Sequence, residues 1–163
     1  MALSKITNDG VTGLSIDSSG RILMTARPFI KMNMSSNQSA TTSAVGNILP
    51  LQNVISSSGI TLNTTTYKFQ VPVTGLYNVS GSARVNAAAT YIWWTIADGS
   101  GTHVNTSQYV LGNSNFTSGS TASGSILASL TASTDYQIVQ GSSLTGSQTF
   151  QQEQNFIDIF LVG

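Results

Sequence analysis

The sequence predicts an all-β domain, and three observations carry that prediction. Apolar residues recur with period two, Ser/Gly/Asn clusters separate the runs, and no stretch beyond Met34 sustains capped apolar spacing at three and four. Side chains two apart on an extended chain share a face, so period two marks a half-buried strand. Many short strands at this spacing predict a two-sheet antiparallel sandwich, a barrel or a jelly roll.

The elements follow in order. The run 13–24 reads as two short strands around Asp17-Ser18-Ser19-Gly20, a hairpin too small to stand alone, ending near Arg27-Pro28. It is expected to pack on its own domain, on sister subunits or on a larger partner. The Ser/Thr-rich stretch 35–43 reads as a loop. Phe69, Val71 and Val73 then share a face opposite Lys68, Gln70 and Pro72. After Thr74-Gly75, Tyr77, Val79, Ala83 and Val85 alternate with Asn78, Ser80, Ser82 and Arg84. Ser56-Ser57-Ser58-Gly59, Asp98-Gly99-Ser100-Gly101 and Gly112-Asn113-Ser114-Asn115 read as turns, where positive φ and local side-chain hydrogen bonds are needed.

Two runs break the half-buried pattern. In 91–96, Tyr91 and Trp93 take one face while Ile92, Trp94 and Ile96 take the other. In 156–162 both faces are apolar except for Asp158, which shares a row with Phe156, Phe160 and Val162. A strand apolar on both sides needs cover on both sides. The facing sheet supplies one cover, and in a domain this small a neighbouring subunit is the expected second. Tyr91, Trp93, Trp94, Asp158 and Arg84 are therefore candidates for a subunit interface or a ligand platform, with the core as a further alternative for the three aromatic residues. An unpaired buried carboxylate is costly, and Arg84 is a possible partner for Asp158 across the sheet or the interface. A solvent-facing strand end is the alternative for Asp158.

Composition narrows the function classes. Charged residues make up 7% of the 163-residue chain, against about 25% in ordinary domains. Ser, Thr, Asn, Gln and Gly take their place. No apolar run approaches the ~20 residues of a membrane span, and the start Met1-Ala2-Leu3-Ser4-Lys5 lacks the apolar core of a secretory signal. Net formal charge is zero, so neither nucleic acid nor an anionic membrane is an expected partner. Lys5, Arg21, Arg27 and Lys31 crowd the N-terminal segment, which reads as a solvated arm or as a segment docking on an acidic partner.

No constellation carries chemistry. With His103 the single histidine and no cysteine, neither a multi-histidine metal site within one chain nor a thiolate is available. There is no Gly-x-Ser-x-Gly elbow and no phosphate-cradling Gly-x-x-x-x-Gly-Lys. Catalytic residues, metal sites and cofactors are all expected to be absent. His103 reads as a loop residue, with an ion site on a three-fold axis as the alternative.

From Ile48-Leu49-Pro50-Leu51 onward the chain resembles the complement C1q-like family, which shares its jelly roll with tumour-necrosis-factor-like domains. The motif residues are Gly59, Phe69 and Gly75-Leu76-Tyr77-Asn78-Val79, and the run 69–77 is the most specific piece. Downstream, 130–138 is similar to the family's Gly-Asp turn and following strand, with Thr134 in the place of the Gly. The closing 156–161 resembles the last strand, with Ile157-Asp158 replacing the usual Ser-Gly and the second Phe shifted to Phe160. The resemblance implies a ten-stranded sandwich over 28–163, a homotrimer, and a family core built on Phe69, Gly75, Tyr77, Phe156 and Phe160. No ligand cluster matches the family's calcium sites.

The lead-in 13–22 followed by Arg27-Pro28-Phe29 is similar to that of C1q-like proteins in tailed-phage virions. That likeness implies a non-enzymatic particle-surface protein, with residues 1–27 as an arm anchored to other virion proteins through Lys5, Arg21 and Arg27. Its expected role is capsid decoration, cement or head fibre. The alternatives are a tail-fibre tip that recognises a host-surface glycan or protein, and a free secreted binding module.

Overall fold

The computed structural model describes residues 14–16, 22–24, 27–42, 47–104, 109–112, 119–144 and 146–162. β1 (Leu14–Ile16) and β2 (Ile22–Met24) pair antiparallel as a sheet of their own. This is the hairpin expected around Asp17-Ser18-Ser19-Gly20, whose tip lies outside the described residues. The first half of the body comprises β3 (Phe29–Asn33), β4 (Gln38–Thr42), β5 (Asn47–Ile48), β6 (Asn53–Ser58), β7 (Thr61–Asn63) and β8 (Lys68–Gln70). The second half comprises β9 (Gly75–Val85), β10 (Ile92–Asp98), β11 (Val110–Gly112), β12 (Ser120–Leu130), β13 (Tyr136–Ser142), β14 (Gly146–Phe150) and β15 (Phe156–Leu161).

These strands form two antiparallel sheets. One runs β11-β10-β13-β8-β7, with β5 also on β13; the other runs β4-β14-β9-β15-β3-β6, with β12 also on β9. The architecture is the two-sheet jelly roll. With six and seven strands in the two sheets, it exceeds the ten expected. One reason is that the stretch read as a Ser/Thr loop supplies β4, which pairs along its whole length with β14. Thr and Ser suit an extended edge once a partner strand is present. Likewise Ser56, Ser57 and Ser58 belong to β6 rather than a turn, and the chain reverses at Gly59 with φ +74°.

The core lies between the sheets. From the seven-stranded side come Ile30, Met32, Tyr77, Val79, Ala83, Val85, Ile157 and Ile159; Phe69, Ile92, Trp94, Ile96, Tyr136 and Ile138 meet them from the other. Period two thus selected the inward rows correctly in β8 and β9; in β10, apolar on both faces, it is the fold that turns Ile92, Trp94 and Ile96 inward. Each large apolar side chain taken from water contributes about 1.5–3 kcal/mol.

Gly75 opens β9, and Tyr77 is fully buried with its hydroxyl donating to the Val73 carbonyl at 2.8 Å. Burial pushes the phenol pKa up. Tyr77→Phe is expected to lower stability by about 1 kcal/mol, because the Val73 carbonyl loses its donor. Urea unfolding of the two proteins checks this, with an unchanged m-value showing that the fold is kept.

Phe156 and Phe160 correct the expected family core. The register of β15 sends Ile157 and Ile159 inward and leaves both phenylalanines on the outer face. In a strand apolar on both sides, period two cannot say which row is the core.

Candidate functional site

The outer face of the seven-stranded sheet is built by strict alternation. Ile30 and Ile159 point inward, so their neighbours Phe29, Phe160 and Asp158 point outward. Pairing then aligns Phe29, Phe160, Asn78 and Leu127 as one row across β3, β15, β9 and β12. Beside that row the Val162 amide donates to the Leu76 carbonyl at 2.7 Å. Phe29, Leu76, Leu127, Phe160 and Val162 are all substantially exposed. They form an apolar band at one end of the sheet.

The next row is polar and aligns Lys31, Asp158, Ser80 and Ser125. Lys31 Nζ stands 3.9 Å from Asp158 Oδ2, while Oδ1 is shielded from solvent without a hydrogen-bond partner. Within the subunit, Arg84 is therefore not the partner of Asp158 across the sheet. Its guanidinium donates to Gln154 Oε1 and packs over Gly119, and Asn155 clamps its main-chain N–H and carbonyl at 2.8 and 3.0 Å. The strand spacing explains this: Arg84 lies four residues beyond Ser80, the residue opposite Asp158. Phe156 sits on the far side of the polar row.

The six-stranded sheet differs. Trp94 is 0% exposed in the core, with Nε1 donating to the Ala122 carbonyl at 3.1 Å. It belongs to neither an interface nor a platform. Trp93 faces outward yet is only 8% exposed, clustered with Ala97 and Val139. That cover comes from its own chain, in part from two rings: Trp93 meets His103 and Tyr109 edge-on at centroid distances of 5.8 and 5.2 Å. The doubly apolar β10 therefore gives weaker grounds for a subunit neighbour than β15 does. Tyr91 remains exposed on the same face.

Sequence reasoning missed Tyr109 and Leu111. Leu111 stands opposite Trp93 across β10 and β11, and the period-two pair Tyr109 and Leu111 was the available signal. His103 is not an isolated loop residue. It bridges to Ala97, and its Nδ1 lies 2.8 Å from the Tyr109 hydroxyl.

Asp98-Gly99-Ser100-Gly101 is the expected turn. Asp98 Oδ1 accepts from Ser100 Oγ at 2.6 Å and from the Ser100 and Thr102 amides at 2.9 Å each. These bonds, led by that from the Ser100 hydroxyl, hold the carboxyl below the usual Asp range. Among the described residues no group of three or more His, Cys, Asp or Glu side chains could hold a metal. Lys5 and Arg21 lie outside the described residues; Arg27 is exposed just before β3.

No protein-family model matches the sequence, and no curated protein matches it. Solved structures do match in shape. Eiger TNF from S. frugiperda superposes with a TM-score of 0.58 at 13% identity, covering 84% of this chain and 93% of that one. Murine APRIL, solved at pH 8.0, gives a TM-score of 0.58 at 5% identity over 84% of this chain and all of that one. The fold is the C1q/TNF-like jelly roll. At such identities the likeness speaks for the fold alone.

Proposed function

We propose that the chain is a non-enzymatic, homotrimeric module displayed on the surface of a tailed-phage virion, in a capsid-decorating, cement or head-fibre role. The observation that carries the assembly is the exposed apolar band Phe29, Leu76, Leu127, Phe160 and Val162 on the seven-stranded sheet. Monomers rarely leave such side chains contiguous and uncovered. A closed ring of three copies covers them, and the family resemblance supplies the number three. The Lys31–Asp158 row beside the band favours one register, because a misplaced copy would set apolar side chains against a half-satisfied carboxylate.

The particle assignment draws on the likeness of the lead-in to phage proteins. It is also supported by the separate two-stranded sheet of β1 and β2, which suits an arm that docks elsewhere. Light scattering at micromolar concentration should give three times the 17.1 kDa chain mass; a monomer rejects the assembly. Labelling on intact particles tests the location. A high copy number over the shell fits decoration, whereas a few copies at the tail would make it a fibre tip.

A further inference from the structure

The outer face of the six-stranded sheet carries a second cluster that the assembly does not use. Tyr91 and Trp93 project from β10 and its lead-in, and Tyr109 and Leu111 from β11 and its lead-in. The rings of Trp93, His103 and Tyr109 are mutually edge-to-face, with centroids 5.2–5.8 Å apart. Gly141 permits this arrangement: a Cβ there would stand 2.4 Å from Trp93 Cζ2, so only a bare backbone lets the indole lie across β13. Trp93 is thereby fixed as a floor. Tyr91 at 41%, Tyr109 at 37% and Leu111 at 72% remain exposed around it.

We infer that this cluster is a binding site for an uncharged sugar. An aromatic ring presents a negative face, which attracts the polarised C–H face of a pyranose. A sugar also needs hydrogen-bonding groups at the ring edges. Here the Tyr109 hydroxyl and His103 Nδ1 satisfy one another, leaving the second imidazole nitrogen and the Tyr91 hydroxyl for ligand hydroxyls.

Charge decides the ligand class. No Asp, Glu, Lys or Arg lies on the outer row Trp93, Thr95, Ala97 of β10 or at Tyr109 and Leu111. An anionic ligand would lose hydration there without gaining a counter-charge. Interlocked rings lose little freedom on binding, which favours a small rigid ligand. The outward placement of the site rests on the trimer reading, since that assembly turns the opposite sheet inward.

The test is calorimetry of the full-length protein with maltotriose and diacetylchitobiose as neutral probes and trigalacturonate as the charged one. Binding of a neutral probe, with trigalacturonate at least about tenfold weaker, is expected. Tyr91→Ala and Tyr109→Ala should each weaken it by at least about fivefold, with thermal unfolding of Tyr91→Ala unchanged. Tyr109→Phe, which keeps the ring, should fall between Tyr109→Ala and the parent.

Equal binding of the charged probe, binding unmoved by both alanine variants, or no binding by either neutral probe at millimolar concentration would each overturn the inference. So would an apolar peptide that binds at the cluster and excludes the neutral probes. Light scattering on the same samples separates the two claims. A trimer that binds no sugar removes only this inference, and a monomer that binds sugar removes only the assembly.

Discussion

Phe160→Asp should abolish the proposed trimer while leaving the subunit folded. Phe160 is outward-facing and 40% exposed in the single chain, whereas its neighbour Ile159 fills the core. The substitution therefore leaves the inward row of β15 intact. In the proposed trimer it acts three times over, because each copy contributes one Phe160. Each loses about 1.5–3 kcal/mol of apolar burial, and each new carboxylate must be desolvated without a partner. The dissociation constant should rise at least about a hundredfold. Sedimentation at micromolar concentration would then show monomer with an unchanged β-sheet circular dichroism spectrum.

Leu111→Asp is the matched control. Leu111 is more exposed than Phe160 but lies on the opposite sheet. It should leave the trimer intact. If both variants dissociate, generic loss of solubility is being measured; if neither does, the apolar band is not the interface. Unfolding temperature should depend on protein concentration in the parent and lose that dependence in Phe160→Asp.

The fold class was legible because alternation is a local property. Tyr77, Val79, Ala83 and Val85 show period two whatever strand they pair with, and they line the core as expected. Assignment of faces was legible only where one row was polar. In β15 both rows are apolar, so alternation leaves the choice open and the resemblance alone puts Phe156 and Phe160 in the core; pairing with β9 and β3 turns them outward. Strands made of Ser and Thr were illegible for the opposite reason. Gln38-Ser39-Ala40-Thr41-Thr42 has no apolar row, and it becomes a strand because β14 presents a free edge far along the chain.

The candidate sites divide in the same way. Asp158 stood out as a charge in an apolar row, but its neighbour Lys31 is set by the register of β3 against β15, which sequence spacing does not contain. That Tyr91 and Trp93 share a face is visible in the alternation, but that this face is the outer one is not. Their association with His103 and Tyr109 depends on the bridge between Ala97 and His103 and on the pairing of β10 with β11. The two exposed surfaces thus lie on different sheets, one apolar and fit for self-association, the other aromatic and fit for a small ligand.

The aromatic surface depends on how the sandwich is closed where β11 meets β12, and Gly112→Ala tests that closure. A Cβ at Gly112 would lie 2.0 Å from the Thr121 carbonyl oxygen and 2.6 Å from Ala122 Cα. Those are backbone atoms, so no side-chain rotation relieves the contact. β12 cannot retreat either, because it is paired residue by residue with β9 from Ser120 opposite Val85 to Leu130 opposite Gly75. The Ala122 carbonyl at the same point accepts from Trp94 Nε1, so displacement there would strain the core tryptophan as well. The expected loss is about 3 kcal/mol, the upper end of the usual range for overpacking. For a chain of this size that lowers the unfolding temperature by roughly 6–12 °C. Gly124→Ala supplies the comparison, since its Cβ would meet only Val110 Cγ1 at 3.0 Å, the end of a side chain; a shift of less than half that size is expected. Equal melting of the two variants would show that β11 does not approach β12 as described. Because Gly112 ends the strand that carries Leu111, its replacement should also weaken sugar binding, while the trimer, built on the other sheet, should persist below the lowered melting temperature.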